Sequence, residues 1–268
     1  MSVAAPRICA VVPSYDNPVT VRGVVERIRA HGLPVILVDD GSAEPGRSAC
    51  QEVADAGLLA DLVRREQNGG KGAAVLDGLA RARDLGFTHA FQIDADGQHD
   101  LGRIPAFVAA AEADPDALVL GAPVYDDAAS PASRRRMREL TNFWVRVETG
   151  GRARIDDAMI GFRIYPIEPA LAVRPRTRRM DFDIEILVLM VQAGVPTVNL
   201  PVEVRYLTAD EGGVSHFDML RDNVRLSWLH SRLCTLASMR FVFGLFTGRS
   251  FRRGRRGRGA PRAAEPTP

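Results

Sequence analysis

Two aspartates one residue apart, Asp94 and Asp96, close the short apolar run His89 to Ile93, and Gln98 follows at the next alternate position. At a strand end, where the pleat relaxes into a loop, residues spaced in this way can turn towards one point. Carboxylate oxygens gathered there suit a hard divalent cation, Mg²⁺ or Mn²⁺. Such an ion takes one or two carboxylates and completes its shell with water and substrate phosphates. Gln98 adds a neutral oxygen. On its own an Asp-x-Asp is more often a solvated turn, because Asp hydrogen-bonds its local backbone. The weight therefore falls on the neighbouring elements.

Those elements repeat one arrangement. Ile8 to Val12 is an apolar strand ending in Pro13-Ser14-Tyr15-Asp16-Asn17-Pro18, followed by an amphipathic helix from Val21 to His31 that Gly32 closes. Pro34 to Val38 is a second strand, ending in Asp39-Asp40-Gly41-Ser42. A further helical stretch and a short strand at Leu62-Val63 lead to Gln67-Asn68-Gly69-Gly70-Lys71-Gly72 and a helix from Ala73 to Leu85. Strands alternating with helices imply a parallel sheet with right-handed crossovers, whose ligands bind beyond the carboxyl ends of the strands. Polar, glycine-rich or acidic sequence stands at that edge three times over.

Each stretch admits a structural and a chemical reading. Asp39 and Asp40 can cap a turn or accept hydrogen bonds from a nucleoside. The Gly69–Gly72 stretch can be a turn or a phosphate cradle at a helix N-terminus. It is not a Walker A loop, since the first Gly and the Ser/Thr after Lys71 are missing, and no G-x-G-x-x-G follows the first strand.

Further along, a helix spans Ile104 to Ala113 and a strand Ala117 to Gly121. Asp126 to Arg138 reads as a loop entering a helix over Glu139 to Glu148. Its Arg134, Arg135, Arg136 and Arg138 form a solvated run or a clamp for diphosphate or an anionic acceptor. Asp157-x-x-x-Gly161-Phe162-Arg163 offers a carboxylate and a cation beside a tight turn. Asp181, Asp183 and Glu185 open a helix from Phe182 to Ala193, as caps or as a general base. A late strand, Thr197 to Tyr206, leads to a loop from Thr208 to Phe217. His99 and His216, each in a polar loop, stand as surface residues or as contacts to phosphate or metal.

The chain's 268 residues suffice for a substantial core, and its hydrophobic and charged fractions are those of a globular protein. Cys9, Cys50 and Cys234 lack metal-like spacing and point to a reducing compartment. No apolar signal core or membrane-length run is present, so the expectation is a cytoplasmic protein, peripheral on the inner membrane surface. Met219 to Phe246 is helical, with aromatic and aliphatic residues from Trp228 onward. Residues 249–268 form a disordered Arg-rich tail suited to an anionic membrane surface. A nucleic-acid partner is not expected, because the acidic strand ends repel a phosphate backbone. A nucleotidyltransferase would carry its glycine-rich phosphate loop near the first strand, where Pro13-Ser14-Tyr15 stands.

The ordered set Val12-Pro13-Ser14-Tyr15-Asp16-Asn17, Val38-Asp39-Asp40-Gly41-Ser42, Asn68-Gly69-Gly70-Lys71-Gly72, Asp94-Ala95-Asp96-Gly97-Gln98-His99 and Asp157-x-x-x-Gly161-Phe162-Arg163 resembles the family 2 glycosyltransferases, nearest the dolichol-phosphate mannosyltransferase branch. The resemblance covers roughly residues 7 to 217. It implies an α/β GT-A fold: a Rossmann-like, mostly parallel sheet flanked by helices over residues 1–217, with a C-terminal helical extension over 218–248. It implies inverting transfer of one sugar from a nucleotide-sugar donor to a lipid-linked or membrane-presented acceptor. By resemblance, Pro13, Tyr15, Asp16, Asp39 and Asp40 hold the nucleoside, with Lys71, Gly72, Asp94 and Ala95 beside the donor. Asp94, Asp96 and Gln98 take Mg²⁺ or Mn²⁺, and Arg163 faces the donor phosphates or the acceptor. A hydroxyl acceptor would need a base, for which Asp157 and Asp183 are the candidates; a phosphate needs none. Asp16 stands where the family usually has Glu. The Gln-x-x-Arg-Trp motif of processive synthases is absent, as is a C-terminal transmembrane pair.

Overall fold

Apolar runs bounded by glycine and polar turns become strands buried on both faces, the pattern of a sheet covered by helices on each side. The computed structural model describes residues 5–124, 132–205 and 225–235, the side chains of 132–137 left aside. The expectations for the Arg134–Arg136 side chains, for His216 and its loop, and for residues 236–268 lie outside the described residues.

β1 (Ile8–Ser14), β2 (Val35–Asp39), β3 (Asp61–Arg64) and β4 (His89–Ile93) alternate with α1 (Val21–Ala30), α2 (Gly46–Asp55) and α3 (Lys71–Asp84). Then follow α4 (Ile104–Ala113), β5 (Leu118–Val124), α5 (Ala132–Glu148), β6 (Phe162–Pro166), α6 (Ile167–Ala172), α7 (Phe182–Gln192) and β7 (Thr197–Glu203). Residues 225–235 form a last helix, α8. The seven strands lie in the order β3-β2-β1-β4-β6-β5-β7. Only β6 runs against its neighbours β4 and β5, so the sheet is mostly parallel.

Alternation along the strands splits the core in two. Ile8, Ala10 and Val12 join the layer under α1, α2 and α4, while Cys9 and Val11 join the layer under α3, α6 and α7. On α1 the buried residues Val21, Val24, Val25 and Ile28 recur at helical spacing, each contributing about 1.5–3 kcal/mol by leaving water. Leu226, Leu229 and Leu233 bring α8 onto the second layer. Among the described residues no helix is long and apolar enough to cross a membrane.

Two boundaries differ from the sequence expectation. α5 begins at Ala132 instead of Glu139, because Arg and Met are good helix formers and a run of like charge alone does not end a helix. β7 stops at Glu203, and beyond it Val204 forms a single antiparallel bridge to His99.

Candidate active site

The carboxyl ends of β1, β2 and β4 converge with the start of the antiparallel β6. Ile93 pairs with Phe162, which sets Gly161 beside Asp94. A β-carbon on Gly161 would fall 2.3 Å from Asp94 Oδ2 and 2.5 Å from Lys71 Nζ. The bare α-carbon is what lets the carboxylate and the ammonium meet there. Lys71 Nζ lies 2.8 Å from Asp94 Oδ2 and 3.0 Å from Asp183 Oδ2. Burial alone would lower the Lys71 pKa, but Asp183 and then Asp94 outweigh it and hold the ammonium above its ordinary range.

Behind this cluster runs a chain of buried hydrogen bonds. Tyr165 Oη donates to Gln92 Oε1 (2.8 Å), and Gln92 Nε2 donates to Asp183 Oδ1 (3.1 Å). Both Asp183 oxygens are thereby engaged, and Lys71 passes the constraint on to Asp94 Oδ2. The other Asp94 oxygen, Oδ1, is buried and has no hydrogen-bond partner. A lone buried carboxylate oxygen is costly unless something occupies it. Two residues on, the half-buried Asp96 accepts the Gln98 backbone N–H at Oδ1. Asp94 and Asp96 thus fit a cation of the Mg²⁺ or Mn²⁺ type, which needs few protein carboxylates and takes phosphate oxygens and water besides. Among the described residues no group of three or more His, Cys, Asp and Glu gathers for a metal. Gln98, the third candidate ligand, is half-buried, and its backbone carbonyl accepts Arg205 N–H.

The nucleoside candidates line the β1–β2 end. Pro13 is buried in β1, opposite Val38. Tyr15 and Asp16 are half-buried at its exit. Asp16 adopts a left-handed φ of 52° and accepts Ala43 N–H, while its own N–H donates to Ser42 Oγ. Asp39 accepts Ser42 N–H and lies 3.8 Å from Arg64. Ala95 is buried, and its carbonyl accepts the Thr20 hydroxyl.

Three of the candidate residues are engaged within the fold itself. Asp40 accepts Gly69 N–H (3.0 Å) and Gly70 N–H (2.7 Å), so these amides hold a loop and are not free for phosphate. Burial raises the Asp40 pKa, while the two amides and then Arg65 oppose it. Gly72 is a packing position, its missing β-carbon leaving room for Phe182. Arg163 is fully buried. Its guanidinium donates to the carbonyls of Ile160, Asp183 and Ala158, fixing the turn before β6 against the start of α7.

Of the candidate bases, Asp157 spends Oδ1 on Met159 N–H (2.7 Å) and Ile160 N–H (3.1 Å), capping that same turn. Burial pushes its carboxyl above the usual range, partly offset by Met159 N–H and by Arg138 and Arg163. Asp183 is held between Lys71 and Gln92. Glu185 accepts the backbone N–H groups of Arg176 and Thr177, and His99 stacks on Phe162 at 5.2 Å. Sequence reasoning did not identify Gln92 or Tyr165. The available signal was an amide inside an otherwise apolar strand, and a buried amide must find partners.

With this geometry in hand, comparison with known proteins is specific. A family model, Glycosyl transferase family 2, matches residues 9–168. A UDP-N-acetylglucosamine–dolichyl-phosphate N-acetylglucosaminyltransferase from Methanococcus voltae is 30% identical over 105 residues, 34% of this chain and 42% of that protein. A dolichyl-phosphate β-glucosyltransferase from Trichomonas vaginalis is 25% identical over 212 residues, 72% of this chain and 62% of that protein. The chain therefore spans less than two thirds of either relative. A glucosyl-3-phosphoglycerate synthase from Mycobacterium tuberculosis, solved with Mn²⁺, UDP-glucose and phosphoglyceric acid, superposes with a TM-score of 0.60 at 22% identity, covering 86% of this chain and 80% of that one. A mannosyltransferase from Pyrobaculum calidifontis, solved with GDP-Man and Mn²⁺, gives 0.54 at 15% identity, covering 91% and 76%. These two likenesses speak to the fold.

Proposed function

The chain belongs to glycosyl transferase family 2, and from that premise we propose that it moves one sugar, with inversion, from a nucleotide-sugar donor to a lipid-linked phosphate acceptor, with Mg²⁺ or Mn²⁺ on the donor diphosphate. The observation that carries this reading is Asp94 Oδ1, buried and without a partner, beside Asp96 at the carboxyl edge of the sheet. Asp94 and Asp96 would hold the ion, which supplies charge neutralisation for the departing diphosphate. The β1 and β2 ends, with Tyr15, Asp16 and Asp39, would seat the nucleoside. Lys71, fixed by Asp183, would hold Asp94 in place and add one positive charge near the leaving group.

Inversion requires an acceptor oxygen to attack the anomeric carbon on the face opposite the diphosphate, through an oxocarbenium-like state. An ionised acceptor phosphate needs no base. That agrees with a site whose two candidate bases are already committed, Asp157 to backbone amides and Asp183 to Lys71 and Gln92. The names of the two dolichyl-phosphate relatives support the same acceptor class.

The test is a thermal-shift panel of UDP-, GDP- and dTDP-sugars, each with and without Mn²⁺. A ligand held by the folded state raises the melting temperature by mass action. One nucleotide should stabilise the wild type only with Mn²⁺, and Asp96→Asn should lose that shift while keeping its unliganded melting temperature. An Asp96→Asn protein that still responds to the metal would overturn the ion assignment.

A further inference from the structure

The segment from Arg154 to Gly161 belongs to no helix or strand, yet it delivers Gly161 to the place where Lys71 meets Asp94. A buried peptide group left without a partner is costly, and here side chains supply the partners. From inside, Asp157 accepts Met159 and Ile160 N–H, and Arg163 donates to the Ala158 and Ile160 carbonyls. From outside, two asparagines hold the strip. Asn199 of β7 serves its far end, donating Nδ2 to the Arg154 carbonyl (2.8 Å), with Oδ1 a long 3.5 Å from Asp156 N. Asn142 of α5 straddles the end nearer the cluster. Its Nδ2 donates to the Asp156 carbonyl (2.8 Å) and its Oδ1 accepts Ala158 N–H (3.2 Å). One amide spending both its donor and its acceptor on the two sides of Asp157 fixes the orientation of that stretch as well as its position.

Asn142 has a rigid base. Further along α5, Glu148 Oε1 lies 2.7 Å from His230 Nδ1 of α8, and the Glu148 carbonyl accepts Gln192 Nε2 of α7 (3.0 Å). From the held turn the contacts continue inward. Arg163 Nη1 donates to the Asp183 carbonyl (2.9 Å), the Asp183 carboxylate pairs with Lys71, and Lys71 reaches the Asp94 oxygen beside Gly161.

We propose that Asn142 is a positioning residue for the cation site: by tying the 156–158 backbone to α5 it sets Gly161, and with it the contact that holds Asp94 while leaving Oδ1 open. This rests on the reading above, in which Asp94 and Asp96 hold Mg²⁺ or Mn²⁺.

Three variants separate positioning from plain stability. Asn142→Ala removes both bonds, Asn142→Asp keeps an acceptor for Ala158 N–H and loses the donor, and Asn199→Ala cuts the strip at its far end. Each is titrated with Mn²⁺ in the presence of UDP-, GDP- and dTDP-sugars in turn, followed by electron paramagnetic resonance. Asn142→Ala should raise the Mn²⁺ concentration for half-saturation by about tenfold or more, the scale of losing a group behind a metal ligand. Asn142→Asp should raise it by less, and Asn199→Ala should leave it near the wild-type value although its melting temperature falls. If Asn142→Ala does not fold, the comparison of Asn142→Asp with Asn199→Ala decides by the same ordering. Equal Mn²⁺ binding by wild type and the Asn142 variants, or an equal loss in Asn199→Ala, would overturn the proposal. Amide exchange without metal reads the tie by itself, and Ala158, Met159, Ile160 and Gly161 should exchange faster in Asn142→Ala. Faster exchange there, with no Mn²⁺ bound by the wild type in any mixture, sinks the ion reading and leaves the tie. Normal Mn²⁺ binding by wild type and Asn142→Ala alike sinks the positioning role and leaves the ion reading.

Discussion

Gly161 separates what folds the chain from what would make it act. The nearest atoms a methyl there would meet are the ends of two side chains, Asp94 and Lys71, and not backbone. Gly161→Ala should therefore lower the melting temperature by no more than a few degrees, about 1 kcal/mol in a domain of this size. By displacing the cluster it should cost more than tenfold in donor-dependent activity; calorimetry beside a transfer assay checks both halves. Gly72 is the contrasting glycine, since its neighbour is the core ring of Phe182. Asp183 allows a second separation. A general base contributes about 10²–10⁴ in rate, so Asp183→Asn would lower kcat by that factor if it took a proton from a hydroxyl acceptor. As the residue that holds Lys71 on Asp94, it should instead raise the Mn²⁺ concentration needed for half-maximal donor binding and leave kcat at saturating metal within about tenfold. A Mn²⁺ titration followed by electron paramagnetic resonance, set beside steady-state kinetics, decides between the two.

At the scale of elements, the sequence made the left half of the sheet readable and much of the right half unreadable. β1, β2 and β4 are apolar runs that stop at polar or glycine-rich turns, so their parallel direction and ligand-bearing edge follow from the alternation of strand and helix. The antiparallel insertion of β6 between β4 and β5 has no local signature, because pairing between residues some seventy apart is set by the whole sheet. The Tyr165–Gln92–Asp183 chain depends on that insertion and was hidden with it. Arg163 marks a related limit: sequence shows a cation beside a tight turn, and the three carbonyls it serves appear only once Ala158, Ile160 and Asp183 are placed. The pairing of α5 with α8 rests on a buried polar contact with a measurable consequence. Burial pushes the Glu148 carboxyl above its ordinary range, against the opposing effects of His230 and Cys234. Such a group keeps its proton longer in the folded than in the unfolded chain. Its contribution to stability is present below the unfolded pKa and is lost as pH rises through the folded one. Glu148→Gln retains an acceptor for His230 and removes the titration. In urea melts from pH 4 upward, the gap between wild type and variant should change across the range just above the ordinary glutamate pKa, and then level off. A gap constant with pH would show that burial does not perturb Glu148.

For the molecule as a whole, the near-neutral charge conceals a division. Of 35 Arg and Lys, seven lie in residues 249–268, and of 33 Asp and Glu only one does, which leaves the first 248 residues at a net charge of −4. On the proposed reading a nucleotide-sugar would carry negative charge towards that acidic body, and its binding would depend on local cations, Lys71 and a divalent ion, and not on long-range attraction. The basic segment has the opposite character and would be drawn to an anionic lipid surface at about 1 kcal/mol per cation near it, within a Debye length of roughly 10 Å at 0.1 M salt. Co-sedimentation with vesicles containing phosphatidylserine should fall as salt is raised, and should fall again on deletion of residues 249–268. Vesicle binding that ignores salt and deletion alike would remove the electrostatic anchor from this account.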